Sequence, residues 1–249
     1  MANRNFLKER SSLLRHVRSF FDERGFYEVQ PPCLARDCVV DAYLDPITVG
    51  TKELGIADTR LPEQFFLQTS PESAMKRMLC GGAPSIYSIG PVFRSGECGQ
   101  QHNIEFTMLE WYEVGGDADS AITLLGTLAG SVMDTTGYDC LTYQQAFKDR
   151  LDVDPLDASL EHLRSLVAIT DTGLADALAD DRDGMLDVLL AECVAPELGI
   201  NRPVILRDYP ISQAALAKRS PVDPRCAARF ELFIQGVEVA NGDEDLLVT

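Results

Sequence analysis

The run from Phe93 to Tyr112 constrains this chain more than any other stretch. It reads Phe-Arg-Ser-Gly-Glu-Cys-Gly-Gln-Gln-His-Asn-Ile-Glu-Phe-Thr-Met-Leu-Glu-Trp-Tyr. The spacing predicts a strand over 85–93, a polar loop, and an antiparallel partner over 104–114. Arg94 enters the loop, and an amide, acids and aromatics leave it. Alternation puts Ile104, Phe106, Met108, Glu110, Tyr112 and Val114 on one face of the second strand. Large apolar groups mixed with a carboxylate and a phenol suit the floor of a polar cleft. A guanidinium can fork onto a phosphate, and the Phe106 ring offers a flat face to a purine. The stretch therefore suits a nucleotide held by its charge and its ring, without a glycine-rich phosphate loop.

Around this hairpin the pattern is mixed. Leu13, Leu14, Val17, Phe20 and Phe21 recur at helical spacing, with Gly25 as the stop. Phe26 to Val29 then reads as a short strand running into Pro31 and Pro32. Residues 45–64 read as a loop or a weakly paired hairpin, and Phe65 to Thr69 as a strand. Ser70 is expected to cap the next helix, with Pro71 at its first position and Glu72 in its first turn. From Asp119 four helical patterns follow, around Ile122–Val132, from Thr142, around Leu160–Leu166 and around Leu186–Val194. Thr142 with Gln145 forms a candidate capping box. Strands return at 203–209 and 229–236, leading into Val237-Glu238-Val239-Ala240-Asn241-Gly242.

Composition narrows the class. With 249 residues the chain can bury a substantial core. A protein gripping tRNA through its phosphates would carry a basic surface; at a formal charge of −17, extensive nucleic-acid binding is disfavoured. Seven scattered cysteines without a Cys-x-x-Cys pair read as reduced thiols, and three isolated histidines give no zinc set. The first residues lack a signal-peptide core, and no later run could span a bilayer. The sequence reads as cytoplasmic.

The run 93–112 resembles motif 2 of the class II aminoacyl-tRNA synthetases, in the lysyl branch. Its His-Asn-x-Glu-Phe-Thr-Met-Leu-Glu-Trp-Tyr form is most similar to the small synthetase-like enzymes that lysylate elongation factor P. Ser70-Pro71-Glu72 with Met75-Lys76-Arg77, and Gly236-Val237-Glu238-Val239-Ala240-Asn241-Gly242, resemble two further segments of those enzymes. The helix, strand and Pro31 near the start resemble motif 1, which builds a dimer interface. The resemblance implies an α+β fold, a class II antiparallel sheet flanked by helices. It implies one catalytic domain over 1–249 with a helical insertion at about 119–200.

It also implies the chemistry: ATP-dependent activation of lysine or β-lysine as the adenylate, then transfer to a lysine of elongation factor P. Arg94 and Glu238 would be the catalytic pair. Arg94, Ser95, Gly96, Glu97, His102, Asn103, Phe106, Glu238 and Val239 would bind ATP, and Glu238 would hold Mg²⁺. Ser70, Pro71, Glu72, Glu110, Tyr112, Asn241 and Asp245 would line the amino-acid pocket. Arg94, Phe106, Glu72 and Glu238 are expected in one cleft. A homodimer is implied, and tRNA is an unlikely partner on charge and on the lack of a preceding oligonucleotide-binding barrel. Two other readings stay open: an inactive synthetase paralogue acting as a binding module, and an enzyme charging tRNA.

The sequence departs from the family in three ways. Gly96 stands where the family has a glutamate, and Glu97 follows it. Gln100 and Gln101 replace an arginine before His102-Asn103. After Gly242 seven residues remain, none of them arginine, so motif 3 is expected to be absent.

Overall fold

In the computed structural model, residues 4–38, 44–55, 60, 62–99 and 102–245 are described. Gln100, Gln101 and residues beyond 245 lie outside that set. The chain divides into two units, Met1–Gly115 and Gly116–Thr249.

The first unit is built on the predicted hairpin. Helix α1 (Arg4–Asp22) buries Val17, Phe20 and Phe21, and Gly25 turns the chain at φ +77°. Strand β1 (Tyr27–Glu28) is next in sequence. Strands β2 (Leu34–Ala35), β3 (Thr48–Gly50) and β4 (Gln64–Leu67) form a small antiparallel sheet in the order β2-β4-β3. The 45–64 segment is thus a paired hairpin in part, β3 against β4. Helix α2 (Glu72–Cys80) follows, then β5 (Ile86–Phe93) and β6 (Glu105–Tyr112), which pair antiparallel in unbroken register. Strand β1 lies parallel to β5 on its other edge. One face of this sheet is covered by α1: Phe21 stacks on Tyr87 at 4.8 Å and meets Trp111 at 5.4 Å. Burial of these rings supplies the hydrophobic driving force for the unit.

One local expectation is corrected. Ser70 does not cap α2; Pro71 occupies the cap position and no side chain caps the helix. Ser70 stands one residue too early, so its Oγ reaches only the Glu72 amide, at 3.4 Å.

In the second unit, α3 (Ala118–Met133) starts with a reciprocal cap between Asp117 and Ser120. An unforeseen short strand, β7 (Asp139–Thr142), comes next. Helices α4 (Tyr143–Leu151), α5 (Leu160–Thr170), α6 (Thr172–Leu178) and α7 (Arg182–Leu189) follow, α7 running on into a wider turn at Leu190–Val194. The Thr142 side chain accepts from Gln145 N, but the Gln145 side chain turns to Asp149, so half of the capping box forms. Strands β8 (Val204–Pro210), β9 (Cys226–Ile234) and β10 (Val237–Asp243) complete a sheet in the order β10-β9-β8-β7, with β7 parallel to β8 and the rest antiparallel. Tyr143, Phe147, Leu163, Met185, Leu186 and Leu189 pack on Leu206, Tyr209 and Phe233 to make the core. The fold is α+β.

Candidate functional site

Strand pairing decides what the first unit can bind. Phe106, Met108, Glu110 and Tyr112 face away from α1, opposite Val92, Gly90, Ser88 and Ile86. At the upper end of this face the chain leaves β5 at Arg94, whose amide donates to the Ile104 carbonyl at 2.9 Å. That closure brings the Arg94 guanidinium carbon to 5.2 Å from the Phe106 ring centroid. Its Nε donates to the Thr69 carbonyl at 3.4 Å, and an Nη lies 3.7 Å from the Glu97 carboxylate. Gly96, at φ +78°, makes the turn that returns Glu97 to Arg94. The displaced glutamate thus faces the same guanidinium from one residue later. Ser95, Gly96, His102 and Asn103 are exposed around this loop.

At the other end of the face sits an acid and aromatic group. The Tyr112 hydroxyl donates to Glu110 at 3.0 Å. Glu72, in the first turn of α2, pairs with Lys76 at 2.8 Å. The Lys76 ammonium in turn stands 5.9 Å from the Tyr112 ring centroid. Lys76 was not singled out as a site residue, although an i,i+4 Glu–Lys pair on a helix was visible. Ser70 and buried Pro71 connect the two groups through Thr69, whose Oγ1 is buried with no hydrogen-bond partner in the structure.

The second unit holds the remaining candidates on β10. A bulge between Glu238 and Ala240 shifts the register, so Glu238 opposes Phe233 while Asn241 opposes Glu231. Strict alternation would send Glu238 and Asn241 to opposite faces. The extra residue, exposed Val239, puts them on one face, and the Asn241 amide donates to Glu238 at 3.2 Å. Gly242 is demanded by packing: a Cβ there would lie 2.6 Å from the Phe230 ring. Asp245 lies past the strand, bridged to Ala217.

The neighbouring strand β9 carries a buried charged network. Glu231, 4% exposed, accepts from Tyr209 at 2.5 Å and from Arg229 at 2.6 Å. Arg229 also donates to the Gln213 carbonyl at 2.8 Å. Burial opposes the Arg229 charge, but Glu231 and Tyr209 outweigh it and raise its pKa. Burial, reinforced by Glu231, pushes the Tyr209 hydroxyl well above the usual tyrosine range. The pair is a rigid support for β9, the neighbour of β10. Buried charges survive only when matched in this way.

A metal fits the donor set in a limited sense. Among the described residues no group of three or more His, Cys, Asp or Glu is arranged for a metal ion. A single exposed carboxylate beside an amide suits Mg²⁺, which keeps its waters and is commonly shared with substrate phosphates. Among the described residues, no helix is long and apolar enough to cross a membrane.

Comparison with known proteins gives the family. The sequence profile of the class II tRNA synthetases (D, K and N) matches residues 1–247. The elongation factor P–(R)-β-lysine ligase of Vibrio cholerae is 40% identical over 242 residues, covering 96% of this chain and 73% of that protein. The protein of the same name from Photorhabdus laumondii is also 40% identical, covering 97% and 73%. That from Enterobacter sp. is 38% identical, with the same coverage.

Proposed function

Because this chain belongs to the class II tRNA synthetases of the D, K and N group, we propose that it is an ATP-dependent ligase that activates lysine or β-lysine and transfers it to a lysine of elongation factor P. The observation behind this reading is the face of β6 in the first unit. It sets the Arg94–Phe106 pair at one end and the Glu72, Glu110 and Tyr112 group at the other. The identity to ligases that carry that substrate in their name supports the choice of substrate and acceptor.

In this reading Arg94 binds the α-phosphate and Phe106 stacks on adenine, with Ser95, Gly96, Glu97, His102 and Asn103 around the ribose and outer phosphates. Glu238, beside Val239, would hold the Mg²⁺ that accompanies the nucleotide. Ser70, Pro71, Glu72, Glu110, Tyr112, Asn241 and Asp245 would receive the amino acid, the acids facing its ammonium groups. A carboxylate oxygen of the amino acid attacks the α-phosphorus and pyrophosphate leaves. The acceptor amine then attacks the acyl carbon, AMP leaves, and an amide forms. No covalent enzyme intermediate is needed, since positioning and charge stabilisation carry the step. The chain would act as a catalytic domain in a cytoplasmic homodimer.

Lysine-dependent exchange of pyrophosphate into ATP, followed by mass spectrometry of elongation factor P, tests the proposal. Exchange and a mass gain of one lysyl or β-lysyl group are expected. Binding of lysine without exchange would instead mark an inactive binding module, and charging of tRNA at physiological salt a tRNA synthetase.

A further inference from the structure

Gln68 stands where the two sheets of the first unit meet, and none of the roles assigned above uses it. It is a buried amide, 9% exposed. Strand β1 pairs with β5 at Ile86 and Tyr87, with Tyr27 and Val29 donating to the carbonyls of Ser85 and Tyr87. Alternate residues of a strand turn their backbone groups to one edge, so Pro91 and Phe93 face the same edge as Tyr87. Past Val29 the chain reaches Pro31 and Pro32, which have no N–H to offer that edge.

Gln68 fills the gap from the end of β4. Its backbone carbonyl accepts from the Phe93 amide at 2.9 Å, and its side-chain Nε2 donates to the Pro91 carbonyl at 2.9 Å. The side chain thus replaces the N–H that a paired strand residue would supply. On its own sheet the Gln68 amide donates to the Cys33 carbonyl at 2.9 Å, and Nε2 lies 3.6 Å from the Cys33 sulfur. Two arms of the site leave this junction. Phe93 runs directly into Arg94, and Gln68 runs through Thr69, Ser70 and Pro71 to Glu72.

The direct contact between the arms, from Arg94 Nε to the Thr69 carbonyl, is 3.4 Å, long for such a bond. The bonds of Gln68 to Pro91 and Phe93 have the ordinary length, so they fix the register of one arm against the other. Each arm is held internally without them. The β5–β6 pairing sets Arg94 beside Phe106, and helix α2 sets Glu72 beside Lys76.

We propose that Gln68 is a positioning residue for adenylation, fixing the arm that carries Arg94 against the arm that carries Glu72. The amino-acid carboxylate and the α-phosphorus are thereby brought to reacting distance. This rests on the adenylation reading above. A shift of about 1 Å between two bound reactants costs about 100-fold in rate. It leaves the contacts of each reactant intact, so losing Gln68 acts on kcat and spares both KM values.

Gln68→Met keeps the length of the side chain and removes its donor. In pyrophosphate exchange run well below the melting midpoint of every variant, kcat should fall about tenfold to 100-fold, with the KM for ATP and for lysine each within twofold. A side chain that only stabilised the fold would leave kcat unchanged in the folded variant. Gln68→Glu sets a carboxylate against the Pro91 carbonyl, and only its protonated form can donate. Its kcat relative to wild type should therefore rise about threefold or more as the pH is lowered from about 8 to about 6. In the substrate-free chain, hydrogen exchange of the Phe93 amide, read by NMR, should quicken about tenfold or more in Gln68→Met, with the β6 amides unchanged. Wild-type kcat in both folded variants, or a rise in either KM that matches the fall in kcat, overturns the proposal. Unchanged protection of the Phe93 amide overturns it as well. Absence of pyrophosphate exchange in the wild type strikes the adenylation reading, and the Phe93 amide then decides by itself whether Gln68 registers the two arms. If Gln68→Met does not fold, Gln68→Glu compared at the two pH values carries the same test.

Discussion

The Arg94 guanidinium lies over the Phe106 ring, with 5.2 Å from its central carbon to the ring centroid. Nothing local in the sequence brings them together, since twelve positions separate them. The β5–β6 register does, by setting Val92 opposite Phe106 and closing the loop through the Arg94 amide. Arg94→Ala is expected to lower pyrophosphate exchange by about 100-fold or more, the scale for losing one preorganised charge contact to the transition state. Phe106→Leu, which keeps apolar bulk but removes the ring face, should weaken ATP binding by about tenfold with the lysine KM little changed. Wild-type exchange by Arg94→Ala would remove this pair from the site.

Glu72 offers a cleaner separation of the two substrates. Its carboxylate is paired with Lys76 beside Tyr112, so Glu72→Gln changes charge without changing shape. The KM for lysine should rise by about tenfold to 100-fold, because an unmatched ammonium in a partly buried pocket is costly. The KM for ATP should stay within twofold. Steady-state exchange at varied lysine and varied ATP decides it; an equal effect on both substrates would contradict an ammonium-facing role.

The bulge at Val239 predicts a result that substitution alone would miss. Inserting one alanine between Ala240 and Asn241, with the bulge at Val239 kept, sends Glu238 and Asn241 to opposite faces of β10. Exchange should fall by about 100-fold or more in the insertion, whereas Val239→Ala, which keeps the residue count, should retain it. Thermal melts of the two variants show whether the sheet survives. Equal activity in both would mean that the bulge aims nothing of use.

Cys226 yields a pH dependence with a definite sign. It is buried, and burial, helped by Asp223, pushes its thiol up to about 11. The folded chain therefore keeps this proton between roughly pH 9 and pH 11 while the unfolded chain loses it. Stability should fall as pH rises through that window, by at most about 1.4 kcal/mol per pH unit from this group. Cys226→Ala should flatten that slope in urea titrations, whatever its effect at pH 7. In alkylation at pH 8, exposed Cys80 and Cys98 should react first and Cys226 last. An unchanged slope in Cys226→Ala would assign the pH dependence elsewhere.

Much of the hairpin was legible because its information is local and periodic. Alternation along 104–112 needs only the pleat to sort Phe106, Glu110 and Tyr112 onto one side and Trp111 onto the other, where Phe21 meets it. The same rule does not sort β10, since a bulge carries no signal in residue type. Ser70 had the right chemistry for a cap and the wrong position by one residue, which is within the error of any boundary read from pattern. The Tyr209–Glu231–Arg229 network could not be anticipated, because its members come from two strands that the sequence does not say are neighbours.

By itself, then, the order of residues determined the paired strands 85–93 and 104–114, the helices after Asp119, and which chemical groups are available: a guanidinium, a ring, several carboxylates and an amide. Tertiary structure alone decided that Lys76, paired with Glu72, stands over the Tyr112 ring, that Glu238 and Asn241 share a face, and that Tyr209 and Arg229 meet on Glu231. The physical reason is range. Helix and strand periodicity is set by neighbours a few positions apart, whereas register, bulges and ion pairing are settled by contacts between segments distant in sequence.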